Sequence, residues 1–206
     1  MLHLEAVQPS TLGLLKLLMS DPYLKDFNLV GGTALALNIG HRISEDIDLF
    51  TDKHYELISL KDHIQKKYSA DVYGETSIGL RCYINKIKAD FLNYPYALLE
   101  DSTTIEGIRL LQLSDIAAMK LSAISNRGAK RDFYDLYFLL HQFSLNDLTK
   151  FYLTKYKMKD PFSLLRSLTY FDDAEKDTDP VLISKAKLTW VQVKKFIQKK
   201  INQQVQ

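Results

Sequence analysis

The sequence predicts an α/β amino-terminal part, one mixed β-sheet with flanking helices, followed by a helical carboxy-terminal part. Three observations carry that prediction. Between residues 27 and 94, short apolar runs with strand character ("FNLVGG", "DIDLFT", "SIGLRCYIN", "KIKADFLNY") alternate with segments of helical periodicity. After Leu111 the strand-like runs stop, and apolar residues recur at helical intervals. The composition, 46% hydrophobic and 25% charged over 206 residues, is that of a globular chain long enough for a substantial core. The expected division is residues 1–105 for the α/β domain and 106–206 for the helical one.

In chain order, leucines at helical spacing from Ser10 to Tyr23, with Ser10 as the cap, predict a first helix. "FNLVGG" is a short buried strand ending in a turn, and "TALALNIG" is a helix that begins at Thr33 and stops at Gly40. "DIDLFT" is the next strand, and "KHYELISLKDHIQKKY" is an amphipathic helix. "SIGLRCYIN" and "KIKADFLNY" meet at Asn85-Lys86 as an antiparallel hairpin, and Pro95 ends the second strand. "LSDIAAMKLSAISN" is a helix with Ser114 as N-cap and Asp115 in its first turn, broken by Gly128. "AKRDFYDLYFLLHQF" is a second helix, and further helices follow with breaks near Asp160-Pro161 and from Asp172 to Pro180. "SKAKLTWVQVKKFIQKK" closes the series as a basic amphipathic helix with Trp190, Val193 and Phe196 on its core-facing stripe.

Bulk properties exclude several function classes. A net charge of +2 announces neither a nucleic-acid nor a membrane partner, so any such claim must rest on local clusters. The lone Cys82 rules out an internal disulfide and a cysteine-based zinc site, and suits a reducing compartment. The five histidines lack metal-ligand spacing and read as surface or packing residues. The amino terminus lacks a basic start and carries Glu5 and Asp21 in its apolar run, unlike a signal peptide. No segment approaches the roughly 20 apolar residues that cross a bilayer. The expectation is a cytoplasmic protein with no membrane partner.

Chemistry concentrates in "LVGGTALALNIGHRISEDIDLF". Residues i and i+2 of a strand share a face, so Asp46 and Asp48 project together while Ile47 and Leu49 face the core. Two adjacent carboxylates repel, and a divalent cation with a taste for hard oxygen ligands, Mg2+ or Mn2+, offsets that repulsion economically. Taken alone, the pair reads more readily as surface positions on a half-exposed strand or as a cap of the next helix. Asp90, alternating with the apolar Ala89 and Phe91, adds a third carboxylate if its strand pairs beside Asp46-Ile47-Asp48. Three carboxylates from neighbouring strands suit two-metal phosphoryl chemistry. Gly31 and Gly32 allow close backbone approach, and the helix start at Thr33 presents free N–H groups that favour a phosphate. His41, Arg42 and Ser44 lie on the loop leading to Asp46, within possible reach of a nucleotide.

"GGTALAL…SEDIDLF" followed by a later acid resembles the signature of the nucleotidyltransferase superfamily fold. More narrowly, "LVGGTALALNIGHRISEDIDLF" and "MKLSAISNRGAKRDFYDLYFLL" resemble the AbiEii family of nucleotidyltransferase toxins, from abortive-infection and type IV toxin–antitoxin systems. The resemblance spans residues 25–142. It implies an enzyme that moves a nucleoside monophosphate from an NTP to an acceptor and releases pyrophosphate. Asp46 and Asp48 would hold two metals against the triphosphate, with Asp90 on the metal that activates the attacking hydroxyl. Gly31, Gly32 and Thr33 would cradle the phosphates, and Lys120 would neutralise charge as pyrophosphate leaves. The family also suggests an RNA acceptor, such as a tRNA 3′ end, or a protein hydroxyl, and an antitoxin as partner.

The downstream motif also has a physical reading. Lys120 lies on a helix whose Ile116, Met119 and Ile124 can pack, leaving an ammonium for phosphate oxygens. Arg127, Lys130 and Arg131 form a local basic cluster, of which Arg127 and Arg131 are the candidate phosphate ligands. Asp132 and Asp135 share one helix face, where either could steady these cations. The resemblance selects Lys120 and Asp135 as catalytic, whereas Asp132 stays open between catalysis and structure. Two other classes fit the same residues: a non-catalytic nucleotide- or partner-binding relative, and a nucleotidyltransferase with a small-molecule acceptor.

Overall fold

The computed structural model describes residues 1–183 and 188–205. These residues form two compact units: Met1–Ala97 with Asp101–Leu111, and Leu98–Glu100 with the chain from Gln112 onward.

In the first unit, α1 (Pro9–Ser20) starts one residue before the expected cap. Gln8 is its N-cap and Pro9 its first residue, so Ser10 lies inside the helix rather than capping it. Asp21 and Pro22 stop α1, and β1 (Asn28–Val30) follows. Next, α2 (Gly31–Ile39) begins two residues earlier than the apolar pattern suggested, because both glycines belong to its first turn. Its end is Gly40, left-handed at φ 65°. After β2 (Ile47–Thr51) and α3 (Leu57–Tyr68) come β3 (Asp71–Thr76), β4 (Gly79–Ile84) and β5 (Ile87–Asn93). Both Asn85 and Lys86 adopt positive φ, as a tight two-residue hairpin turn requires. A last hairpin, β6 (Thr103–Ile105) and β7 (Ile108–Leu110), turns at Glu106-Gly107.

The seven strands make one mixed sheet in the order β3-β4-β5-β2-β1-β7-β6. Its centre is set by β2, antiparallel to β1 and parallel to β5. The pleat of β2 buries Ile47, Leu49 and Thr51 and leaves Asp48 and Phe50 half-exposed. Helix α2 packs on β1 and β2, α1 on β7 and α3 on β4. Leu29, Val30, Leu35, Leu37, Ile47 and Phe91 are fully buried; each such apolar side chain contributes about 1.5–3 kcal/mol. Buried Asp21 ties α3 to this body. It accepts from the Tyr23 amide (3.0 Å) and Tyr68 hydroxyl (2.7 Å), and meets His63 (2.7 Å) and Lys67 (3.1 Å). Burial pushes that carboxyl up, but these partners outweigh it and hold it far below the usual carboxylate range. Cys82 is a buried strand residue, its thiol pushed up to about 12 by burial.

The second unit is helical: α4 (Leu113–Arg127), α5 (Lys130–Gln142), α6 (Leu145–Tyr156), α7 (Phe162–Ser167) and α8 (Trp190–Val205). Residues 184–187, the start of the expected basic helix, lie outside the described residues. The buried stripe of α8 is Trp190, Val193, Ile197 and Ile201; Phe196 is only half-buried and stacks on His141 (4.8 Å between rings). Ser114 is not the cap of α4: Gln112 holds that position, and the Ser114 hydroxyl meets Glu100 instead (2.5 Å). Asp115 turns inward rather than serving its own helix end. It pairs with Lys155 of α6 (2.6 Å) and accepts the amides of Leu99 (3.0 Å) and Glu100 (3.2 Å), which fastens residues 98–100 to this unit.

Lys155 and Asp115 are both fully buried, so removing one partner strands the other's charge. Lys155→Ala is expected to cost about 3–5 kcal/mol. Denaturant unfolding followed by the fluorescence of Trp190, the single tryptophan, reads that loss.

Candidate active site

In the first unit, strand pairing sets the acids. Parallel pairing of β2 with β5 places Asp48 in register with Asp90, so the two carboxylates occupy adjacent positions on one face of the sheet. Asp46 lies immediately before β2, outside the strand. Its backbone is fixed from α2: the buried Thr33 hydroxyl donates to the Asp46 carbonyl and lies 2.9 Å from Ser44 Oγ. Thr33 therefore holds the loop that leads into the acids. Asp90 is buried, with Lys88 Nζ at 3.4 Å, the Tyr73 hydroxyl at 3.4 Å and Arg81 Nε at 3.7 Å.

The glycine turn is shaped by side chains of this same region. Gly31 has φ 70°, and a Cβ there would lie 2.2 Å from Oδ2 of Asp48. At Gly32 a Cβ would lie 2.5 Å from the Arg42 guanidinium. The two glycines thus admit the Asp48 carboxylate and the Arg42 side chain against the start of α2. That helix start has no side-chain cap, and its positive end favours a nearby anion, here the carboxylate of Asp48. His41, Arg42 and Ser44 are all buried, packed inside the loop. A polar cavity of about 340 Å³ opens beside Asp46, lined also by Glu45, Thr11, Tyr83, Lys86 and Lys88.

The donor set of Asp46, Asp48 and Asp90 is all hard oxygen and suits Mg2+ or Mn2+. Asp48 and Asp90 stand side by side, as a shared ion requires. Among the described residues no three His, Cys, Asp or Glu side chains already converge as a metal cluster. The cations on Asp90 account for part of that carboxylate's present environment.

In the second unit, the downstream motif forms one buried network. Lys120 Nζ meets Asp132 Oδ1 (2.9 Å) and Asp135 Oδ2 (2.6 Å), all three being buried. Arg127 also grips Asp132 through Nε (2.9 Å) and Nη2 (3.2 Å), while its own side chain stays 53% exposed. The Lys120 ammonium, expected to reach phosphate oxygens, lies between these two carboxylates. Arg127 lines a cavity of about 430 Å³ with Arg166, Tyr170 and Asp173. Arg131 is exposed on α5, but Lys130 leaves the expected basic cluster and is buried against Asp177 and Asp179. Tyr73, Arg81 and Lys88, the neighbours of Asp90, escaped the sequence reading. Alternation along β4 could have placed Arg81 on the face of Asp90, but β3 itself is a polar edge strand without an apolar pattern.

Two measurements follow from this geometry. Gly31→Ala must adopt a left-handed backbone and displace Asp48, at an expected cost of about 1–3 kcal/mol in equilibrium unfolding. Burial pushes the Asp132 carboxyl up, but Lys120 and Arg127 outweigh it and hold it below the usual range. The stability this supplies is complete above the ordinary aspartate range and is lost as pH falls through the lowered value. The stability gap between the protein and its Asp132→Asn variant should shrink on acidification below about pH 4, as read by Trp190 fluorescence.

Comparison with known proteins agrees with this architecture. Residues 14–200 match the family model "Nucleotidyl transferase AbiEii toxin, Type IV TA system". An uncharacterized protein of Aquifex aeolicus (strain VF5) is 36% identical over 188 residues, covering 86% of this chain and 87% of that protein. A crystal structure from H. pylori, described as a candidate nucleotidyltransferase, aligns with TM-score 0.53 at 21% identity over 95% of this chain and 96% of that one. JHP933 from Helicobacter pylori aligns with TM-score 0.51 at 19% identity over 97% and 96%. Those two likenesses are of fold. Among the described residues no helix is long and apolar enough to cross a membrane. With its family model matched over most of its length, the chain belongs to the AbiEii nucleotidyltransferase toxin family.

Proposed function

We propose that this protein is a metal-dependent nucleotidyltransferase that moves a nucleoside monophosphate from an NTP to an acceptor, as the toxin of a type IV toxin–antitoxin pair. The observation that carries the reading is the register of Asp48 with Asp90, beside the glycine start of α2, in a chain of this family. In the transfer, an acceptor oxygen bonds to the α-phosphorus, the bond to the bridging β-phosphate oxygen breaks, and pyrophosphate departs; the hydroxyl proton passes to water. Asp46, Asp48 and Asp90 would hold Mg2+ or Mn2+, which when bound supplies charge neutralisation at the phosphates. Gly31, Gly32 and Thr33 would receive the phosphates at the N-terminus of α2. The family resemblance would assign Lys120, which is paired with Asp132 and Asp135, together with Arg127 and Arg131, to neutralising phosphate charge. The acceptor in this reading is RNA, with a tRNA 3′ end as the first candidate, the partner is an antitoxin protein, and the setting is the cytoplasm.

A second reading has one observation in its favour. Arg81 and Lys88 already offset the charge of Asp90, as they would in a nucleotide-binding relative that performs no transfer. Labelling by the unaltered protein distinguishes the two, and separate Asp46→Ala and Asp48→Ala variants test the acids. The proposal expects each to lose labelling of total tRNA from α-labelled NTPs by at least about a hundredfold while keeping the parent's melting curve. Full labelling by both variants contradicts it.

A further inference from the structure

The sheet surface next to the acids is open and carries a ring pair that no role above uses. Tyr73 and Tyr83 are 46% and 42% exposed, with ring centroids 4.9 Å apart and planes inclined by 34°. Tyr73 reaches this position through a β-bulge. Val72 pairs with Cys82 and Gly74 with Arg81, so Tyr73 is the extra residue between them. A bulge of this kind re-aims a side chain at the expense of ladder regularity. On β4, Arg81 and Tyr83 point outward while Leu80, Cys82 and Ile84 are buried, so cation and ring share the exposed face.

This face is continuous with the candidate active site. Across β4 and β5, Arg81 stands in register with Asp90 and Tyr83 with Lys88; across β5 and β2, Asp90 stands in register with Asp48. Tyr83 and Lys88 also line the polar cavity that contains Asp46. Two cations share the single Asp90 carboxylate, Lys88 at 3.4 Å and Arg81 at 3.7 Å, and Lys86 adds a third positive charge on the exposed turn. Among the acids of these strands, Asp71 faces Tyr83 in register and Glu75 is paired with Lys61 (2.5 Å). Adjacent aromatic faces with interspersed cations are what single-stranded nucleic acid needs: π-surfaces for unpaired bases and positive charge for the backbone between them. A duplex keeps its bases stacked on one another and gains nothing from such rings.

We propose that the β3–β4–β5 face binds single-stranded nucleic acid, with bases on Tyr73 and Tyr83, backbone phosphates on Arg81 and Lys88, and the strand's end directed into the cavity beside Asp46. The inference deepens the transferase reading by assigning the acceptor's approach, and it rests on that reading only for the direction of the strand. The test is a binding assay that needs no turnover, with fluorescent single strands of RNA and of DNA of about 10 nucleotides and a duplex of the same sequence. The protein should bind single strands more tightly than duplex. Tyr73→Ala/Tyr83→Ala should weaken binding at least about tenfold, and Tyr73→Phe/Tyr83→Phe should stay within about twofold of the parent, because stacking needs the ring and not the hydroxyl. Arg81→Ser should lower the slope of binding against salt by about one.

Unchanged binding by the alanine pair would overturn the inference, as would equal losses in the phenylalanine pair, a preference for duplex, or no binding of single strands by the parent. Thermal melts of each variant separate a lost platform from a lost fold, and both rings are exposed enough to make unfolding an avoidable outcome. A protein that transfers nucleotides but binds independently of the tyrosines refutes this inference alone. Ring-dependent binding without any transfer refutes the catalytic reading alone.

Discussion

The approach of the Asp48 carboxylate to Gly31 is the constraint on which the first unit turns. Antiparallel pairing puts Val30 opposite Asp48, so the strand that ends at the glycine turn and the strand that bears the acid are direct neighbours. Residue 31 can then carry no side chain, since a Cβ would fall 2.2 Å from Oδ2 of Asp48, and its φ of 70° is one that glycine adopts without strain. From that junction α2 starts, and its Thr33 reaches across to the carbonyl of Asp46. The opposite edge of β2 brings in Asp90 through β5. One local packing condition thus fixes the backbone around all three acids and the helix start that faces them.

The helical unit solves a different problem, that of keeping charge inside a core. Lys120 with Asp132 and Asp135, and Lys155 with Asp115, are buried ionic groups that must be matched closely to be tolerated. Each match joins two helices, the consecutive α4 and α5 in one case and α4 with α6 in the other. Such networks penalise any arrangement that separates the partners, and this makes helix register specific where Leu, Ile and Ala alone would leave it loose. Arg127 carries this network outward, through a guanidinium that is half in solvent.

Much of this was legible in the sequence. Strong alternation marked β2, β4 and β5, the Asn85-Lys86 turn was placed correctly, and Gly40 and Gly128 end their helices in left-handed conformation as expected. The strands that went unseen are short or polar: β6 and β7 have three residues each, and edge strand β3 buries none of its six. Caps were misplaced where a polar residue had a better use in the tertiary structure. Ser114 and Asp115 had the types and spacing of a helix start, yet their partners are Glu100, Lys155 and two amides of residues 99–100. The close residues around the acids were visible as a motif, but the packing reason for Gly32, the Arg42 guanidinium ten residues later, was not. Nor was the Tyr73–Tyr83 pair, which depends on a bulge that no periodicity announces.

The central claim is that the glycine start of α2 and the acids of β2 and β5 act on two ends of one nucleotide. Its most direct test is incubation of the protein with total RNA and each α-labelled NTP in turn, once with Mg2+ and once with excess chelator. The account predicts stable label in RNA and release of pyrophosphate with Mg2+ for at least one NTP, and neither product in chelator. Label that persists in chelator, or no transfer to RNA from any of the NTPs, would contradict it.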